Sequence, residues 1–547
     1  MDPTFRGKNI LAIFNLTYST ILINMTRVIV FFTSFLLLST SFLSLGQESI
    51  DTVILRKIKE EGLSRSHLMN TAFYLTDVCG PRLTGSPGLI KAQNWTIERL
   101  RSWGINNGRR EAWGKFGKGW EVKKNYAAIT SPYYQAIIAV PKAWTPGTGA
   151  PLKSEVVLVK ADTVSDLERY KGKLRGKIVI LDTDPNKGRN FKPDATRLSE
   201  AELRKLQNAV APPQQSGPPK PLSYQDAPWL FEMFRKNDLK RAIVDFLKGE
   251  GAALILSQAG GAHGTLFTST GASHNADAPT VIPELETSGE DYQRILRLLK
   301  NGIKVSMEAE IETSFYTDDM EGYNVMAELP GTDKKVKDEV VMIGGHLDSW
   351  HASTGATDNA AGVAVTMEAM RILKALNFKP KRTIRLALWD AEEQSFKGSR
   401  QYVYRHYGNR QTMQLKEEHS KLSAYYNLDI GTGRIQGIYL QRNAAARKIF
   451  ESWFAPLKDL SAGIVTINST GSTDHESFDD IGLPGFQFIQ DPLDYDSRTH
   501  HTNQDSFDKL SESDLKQAAI VIAWFAYNTA QRTELMPRKA LPSPLGK

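Results

Sequence analysis

The chain has 547 residues, too many for one hydrophobic core, so two or three domains are expected. Its 41% hydrophobic and 24% charged residues suit a soluble globular protein. A formal charge of +7 without a dense Lys/Arg run argues against nucleic-acid binding, and the single cysteine, Cys79, excludes an internal disulfide or a thiolate zinc cluster.

Residues 1–46 read as an upstream extension and a secretory signal peptide. Met25 and Arg27 precede an apolar core over 28–45, and Ser44 and Gly46 supply small residues for cleavage before Gln47. This places the mature protein outside the cytoplasm, secreted or periplasmic, with Met25 as good a start as Met1. An uncleaved membrane anchor is the rival, since 28–45 approaches the roughly 18–20 residues that span a bilayer. The Ser and Thr within the stretch favour removal.

Residues 47–124 begin the main domain with two amphipathic helices, 54–74 and 90–103. Between them runs the turn-rich loop CGPRLTGSPG (79–88), whose Arg82 could reach a site as an anion partner. From 125 to 315 the character changes to short β-rich runs at 135–140, 155–159, 177–181, 253–256, 281–285 and 303–311. A charged helical stretch lies among them, with a Pro/Gln-rich segment at 211–221 that has little to bury and reads as a surface loop. This region reads as an insertion, because the α/β pattern resumes only at 323–329. The main domain then runs through 316–532, and 533–547 is an exposed tail.

The stretch EVVMIGGHLDSWHASTGATDNAAG (339–362) organises the rest. An apolar strand over 340–343 ends in Gly344 and Gly345 and delivers His346 and Asp348. A polar loop reaches Asp358 and Asn359, both good N-cap types, before a helix over 360–376 with Val363, Met367, Met370 and Leu373 on one face. Three later strands repeat the plan. Residues 383–389 run into Glu392 and Glu393, 424–428 deliver Asp429, and 485–490 lead to Asp494, Asp496, His500 and His501. The fold class is therefore α/β, a mixed and mostly parallel sheet flanked by helices, with ligands gathered at one strand edge.

Imidazole and carboxylate without thiol suit hard-to-borderline divalent metals, and the set has room for two ions. Of two adjacent glutamates, one can bind metal while the other takes a proton from water. Asp348, two residues from His346, is placed to fix that imidazole. There is no HExxH helix and no GxSxG elbow. Any one of these features is commonly structural; four at four successive strand ends make a site.

GGHLDS (344–349), TDNAAG (357–362), WDAEEQSFKGS (389–399), NLDIG (427–431), STDHESF (472–478) and HHTNQD (500–505) resemble the di-zinc exopeptidases that include bacterial leucyl aminopeptidases. The likeness covers about 49–124, where GPRLTGSPG also matches, and 322–532. The closer likeness is to the carboxypeptidase Q (plasma glutamate carboxypeptidase) branch, and 125–315 resembles a protease-associated domain. The resemblance implies two Zn2+. His346 and Asp429 would bind one, Glu393 and His501 the other, and Asp358 both, with a cis bond to Asn359. His501 is preferred to His500 because the family's histidine immediately precedes a Thr or Ser, here Thr502. Glu392 would be the general base acting on a metal-bridged hydroxide, and Asp348 the partner of His346. Ser472, Thr473, Asp474 and Tyr495 fall in segments that line the substrate pocket of relatives. The implied function is a secreted exopeptidase acting on peptides or dipeptides, with homodimers known among relatives. Asp474 or Asp496 could meet a substrate amine, and Arg82 or Arg498 a carboxylate, so aminopeptidase and carboxypeptidase directions both stay open. A non-catalytic receptor on the same fold is disfavoured by the complete ligand set, and a one-zinc glutaminyl cyclase by ligands for two ions.

Overall fold

Four parallel strands standing side by side carry the architecture of the computed structural model, which describes residues 48, 50–183, 190–211 and 228–545. The expected signal peptide and most of the Pro/Gln-rich segment lie outside the described residues. Every element below belongs to one unit, Asp51–Lys547.

The main sheet has eight strands: β1 (Arg109–Lys115), β2 (Glu321–Leu329), β3 (Val340–His346), β4 (Thr383–Trp389), β5 (Leu422–Asn427), β6 (Ile435–Tyr439), β7 (Ile464–Thr466) and β8 (Gly485–Gln490). Their order is β1-β2-β4-β3-β5-β8-β6-β7. The run β4-β3-β5-β8 is parallel throughout, so four strands end on the same edge. All seven residues of β3 are buried, as its unbroken apolar run demands. Gly344 is required by close packing there: a Cβ would sit 2.0 Å from the carbonyl oxygen of Ala387 on β4.

Helices cover both faces. On one, α4 (Ala361–Ala375) packs between the sheet and the helices α1 (Thr52–Ser64) and α6 (Glu512–Gln531). The expected one-sided amphipathicity of α4 is replaced by burial of every residue from Ala361 to Leu373, because α1 and α6 shield the side facing away from the sheet. Arg371 is admitted there by Glu61 and Glu368, at 2.7 and 2.9 Å. The expected helix over 54–74 is two, α1 and α2 (Leu68–Phe73), separated near Ser66. After them comes α3 (Pro87–Ser102), capped by the Ser86 hydroxyl. On the opposite face Met342, Trp389, Tyr402, Tyr425 and Phe478 form an aromatic core under α5 (Lys397–His406).

A second eight-stranded sheet is built from residues between β1 and β2. Its order is Gln135–Ala136, Gly119–Ser131, Ser306–Tyr316, Leu152–Val159, Ile178–Leu181, Leu254–Gln258, Glu284–Thr287 and Ala139–Pro141. The run expected at 135–140 is thus two short strands on opposite edges. The chain passes between sheets at 116–118 and returns at 317–320, earlier than residue 125, because Gly119–Ser131 is a single strand paired with Ser306–Tyr316. Leu83, Trp113, Phe116, Trp120 and Trp144 fill the joint.

Candidate metal centre

His346, the last residue of β3, is held by its own neighbour. Its Nδ1 donates to the backbone carbonyl of Asp348 at 3.0 Å, which turns Nε2 toward Asp429 Oδ1 at 3.1 Å and Asp358 Oδ1 at 3.2 Å. Asp429 follows β5, so two adjacent strand ends supply this pair. The second oxygen of Asp358 lies 3.4 Å from His501 Nε2, and Glu393 Oε2 lies 2.9 Å from the same nitrogen. Asp358 therefore stands between two histidines, one oxygen toward each. Each histidine has a further carboxylate of its own.

Asp358 is fixed from behind. Asp505 accepts the Thr357 amide at 2.6 Å and the Asp358 amide at 3.1 Å, and the Asp358–Asn359 peptide is cis. Asn359 accepts the Gly362 amide and donates to the Leu428 carbonyl, locking the start of α4 to the end of β5. Only Asn359 of the two expected capping residues serves the helix; Asp358 is turned into the cluster.

The electrostatics follow from crowding carboxylates in a dry place. Burial opposes charge on His346, yet Asp429 and Glu392 outweigh it and hold its pKa well above the usual imidazole range. Burial also opposes charge on Asp358, but His346 and His501 keep it well below the carboxylate range. Burial raises Glu392 well above its ordinary value with Asp429 and Asp474 adding to it, and burial with Asp358 does the same for Glu393. The cluster thus demands added positive charge. Asp358 Oδ2 and Glu393 Oε1 are buried oxygens without a hydrogen-bond donor. Oxygen and imidazole donors from His346, Asp358 and Glu393 lie within 4.8 Å of one another, as do those from Asp358, His500 and His501. Such a set could hold divalent cations.

The expected partnership of Asp348 with His346 takes a different form. The carbonyl oxygen makes the contact, while the carboxylate, 3.6 Å from Nδ1 at its nearer oxygen, accepts the amides of Glu392 at 3.2 Å and Glu393 at 3.3 Å. The Thr84 hydroxyl adds a third bond at 3.2 Å. Asp348 thereby sets the glutamate pair against the histidine.

A pocket of about 630 Å3 opens over the cluster, walled by Asp358, Glu392, Glu393, Asp429, Ser472, Thr473, Tyr495, Asp496, His500 and His501 together with Phe396 and Arg400. Ser472, Thr473 and Tyr495 line this pocket, and Tyr495 stacks on His500 with centroids 4.8 Å apart. Asp474 stands behind the wall, fully buried. The left-handed turn at Ser472 (φ 64°) and the start of the helix His475–Asp479 direct it inward, and burial pushes its carboxyl up to about 8. Neither expected arginine serves the pocket. The Arg82 guanidinium is wholly buried and donates to four backbone carbonyls, and Arg498 binds Asp194, the Ala262 carbonyl and Thr265. Reading the sequence missed Asp505, although HHTNQD contains it, and Arg400, which no motif marks.

Residues 324–526 match the family described as Peptidase family M28. Carboxypeptidase Q of Mus musculus is 28% identical over 467 residues, 85% of this chain and 86% of that protein. Among solved structures, a peptidase M28 precursor from Shewanella amazonensis SB2B superposes with a TM-score of 0.62 at 25% identity, covering 89% of this chain and 98% of that one. Over residues 324–526 the chain thus carries the features of the M28 peptidases. That match and these relatives make the chain a peptidase. The zinc aminopeptidase BSAP of Bacillus subtilis shares the fold at 18% identity, with a TM-score of 0.51 over 86% of this chain and 96% of that one. Among the described residues no helix is long and apolar enough to cross a membrane.

Proposed function

We propose that this M28 peptidase is a secreted di-zinc exopeptidase that removes terminal residues from peptides or splits dipeptides. One observation carries the reading: Asp358 offers one oxygen to His346 and the other to His501, and each histidine has a second carboxylate, Asp429 or Glu393. His346 and Asp429 would hold one zinc, Glu393 and His501 the other, and Asp358 would serve both. When bound, the two ions polarise a scissile carbonyl and bring the pKa of a water toward ~7.

The protein groups do the rest. Glu392 carries no metal; its carboxylate takes a proton from the attacking water and passes it to the leaving amine. Burial, which raises its pKa, strengthens the carboxylate as a proton acceptor. Asp348 holds the amides of Glu392 and Glu393 so that base and ligand keep a fixed separation. The second sheet, read as an inserted protease-associated domain, supports the loop that bears His501 through its connections around Leu266 and Thr268, and the leader at 1–46 directs export. Carboxypeptidase Q and zinc aminopeptidases among the relatives support either direction of attack.

The test is the mature protein with zinc on free, N-acetylated and C-amidated di- and tripeptides, beside Glu392→Gln. Two zinc per chain by elemental analysis and a fall in kcat of roughly 10²–10⁴-fold for Glu392→Gln are expected, with zinc retained. N-acetylation abolishing cleavage marks an aminopeptidase, C-amidation a carboxypeptidase, and both together a dipeptidase. No cleavage of any peptide, or an unimpaired Glu392→Gln, sinks the assignment.

A further inference from the structure

The pocket wall contains a cation that the proposed roles leave unused. Arg400 is the one Lys or Arg lining it among the described residues. It sits in the first turn of α5, is exposed, and its guanidinium lies over the Phe396 ring, 4.9 Å from the centroid. Its side chain makes no hydrogen bond or ion pair among the described residues, although Glu476 is near enough to feel its charge. Arg82 and Arg498, by contrast, are spent on the fold.

Position along the chain says which part of a substrate it meets. Glu392 returns its proton to the leaving amine, so the leaving residue must lie beside Glu392. From there the chain continues through Ser395 and Phe396, both on the pocket wall, into Arg400. A leaving residue resting on Phe396 presents any carboxylate it carries to the guanidinium, whose planar fork suits that group. We infer that Arg400 is a specificity-determining residue that binds a carboxylate on the leaving residue of the substrate. Two sources share this chemistry, the terminal carboxylate of a dipeptide and an acidic side chain. The inference rests on the exopeptidase reading for the place of the leaving residue.

The experiment uses the zinc-loaded full chain and three substrates: alanyl-alanine, alanyl-alaninamide and alanyl-glutamic acid α-amide. Wild type, Arg400→Ala and Arg400→Lys are compared by kcat and KM. Wild type should favour a carboxylate-bearing substrate over alanyl-alaninamide by about tenfold or more, through KM. Arg400→Ala should erase that preference and Arg400→Lys keep part of it. Loss confined to alanyl-alanine assigns the terminal carboxylate; loss confined to the glutamyl amide assigns the side chain. An equal fall on all three substrates, or a preference that survives Arg400→Ala, overturns the inference. Calorimetric binding of the same compounds to Glu392→Gln, with and without Arg400→Ala, separates this from the peptidase reading. Discrimination in binding without cleavage by wild type would sink the peptidase and keep Arg400. Cleavage without any discrimination between carboxylate and amide would sink Arg400 alone.

Discussion

Arg82 shows how a side chain outside the pocket determines what the pocket can hold. Its Nε donates to the Leu347 carbonyl at 2.8 Å, Nη1 to Leu75 at 3.0 Å and Thr354 at 2.6 Å, and Nη2 to Gly355 at 2.9 Å. Leu347 adjoins His346, while Thr354 and Gly355 lie just before Asp358, so one guanidinium fixes the approach to both. Lysine keeps the charge but cannot reach four carbonyls from one ammonium. Arg82→Lys is expected to cost roughly 3 kcal/mol in urea denaturation, because buried acceptors lose their donors. It should also weaken zinc retention against a chelator. An unchanged urea midpoint would show that the carbonyls find other donors. Little that is local announces this role: three of the four acceptors lie in one region far along the chain, and an arginine in a turn-rich loop reads as free to meet an anion. The metal-binding candidates were legible for the opposite reason. His346 ends an apolar strand, Glu393 and Asp429 come shortly after two others, and Asp358 and His501 lie in the loops that follow β3 and β8, so the strand ends tell where these side chains gather. Asp348 was legible as a partner of His346 but not in its manner, since the choice between carbonyl and carboxylate is made by the distant amides of Glu392 and Glu393.

At the level of elements, the four parallel strands could be read because each is a mostly apolar, buried run, whereas Arg109–Lys115 and Gly119–Ser131 could not. Their centres are charged and half-exposed, and pairing with distant strands alone makes them β. That second strand opens the sheet whose loops meet the site. Leu266 and Asn503 exchange backbone and side-chain bonds: the Asn503 amide donates to the Leu266 carbonyl at 3.1 Å, and the Leu266 amide to Asn503 Oδ1 at 2.8 Å. Asn503 Nδ2 donates to the Gly264 carbonyl, and the Thr268 amide to the carbonyl of His501 itself. The loop bearing His501 is thus pinned by the second sheet's connections. Asn503→Ala should cost only about 1 kcal/mol in global stability, since the bonds lie near the surface. Zinc should nonetheless leave faster in a chelator competition. Equal release from variant and wild type would show that the loop holds its shape alone.

The whole molecule is joined through His351, and that joint gives it an acid limit. His351 Nε2 donates to the Pro141 carbonyl in the second sheet at 2.7 Å, its ring stands edge-on to Trp120, and Nδ1 is buried without a partner. Protonation would place an unpaired N–H and a charge between the two sheets. Burial accordingly lowers its pKa from 6.5 to about 4, against a small pull from Pro141. Unfolded, the same imidazole titrates near 6.5, so between these values the unfolded chain binds a proton that the folded one refuses. Stability from this group is therefore complete above about pH 6.5 and lost as pH falls toward 4, by roughly 3 kcal/mol in all. His475 is held down to about 4 by burial as well and adds the same sign, while the buried glutamates of the site act oppositely. A difference measurement isolates His351. His351→Gln can keep a donor to Pro141 but does not titrate, so urea midpoints of wild type and variant should converge or cross as pH drops from 7 to 4. Parallel curves over that range would mean that the joint accepts the proton without opening.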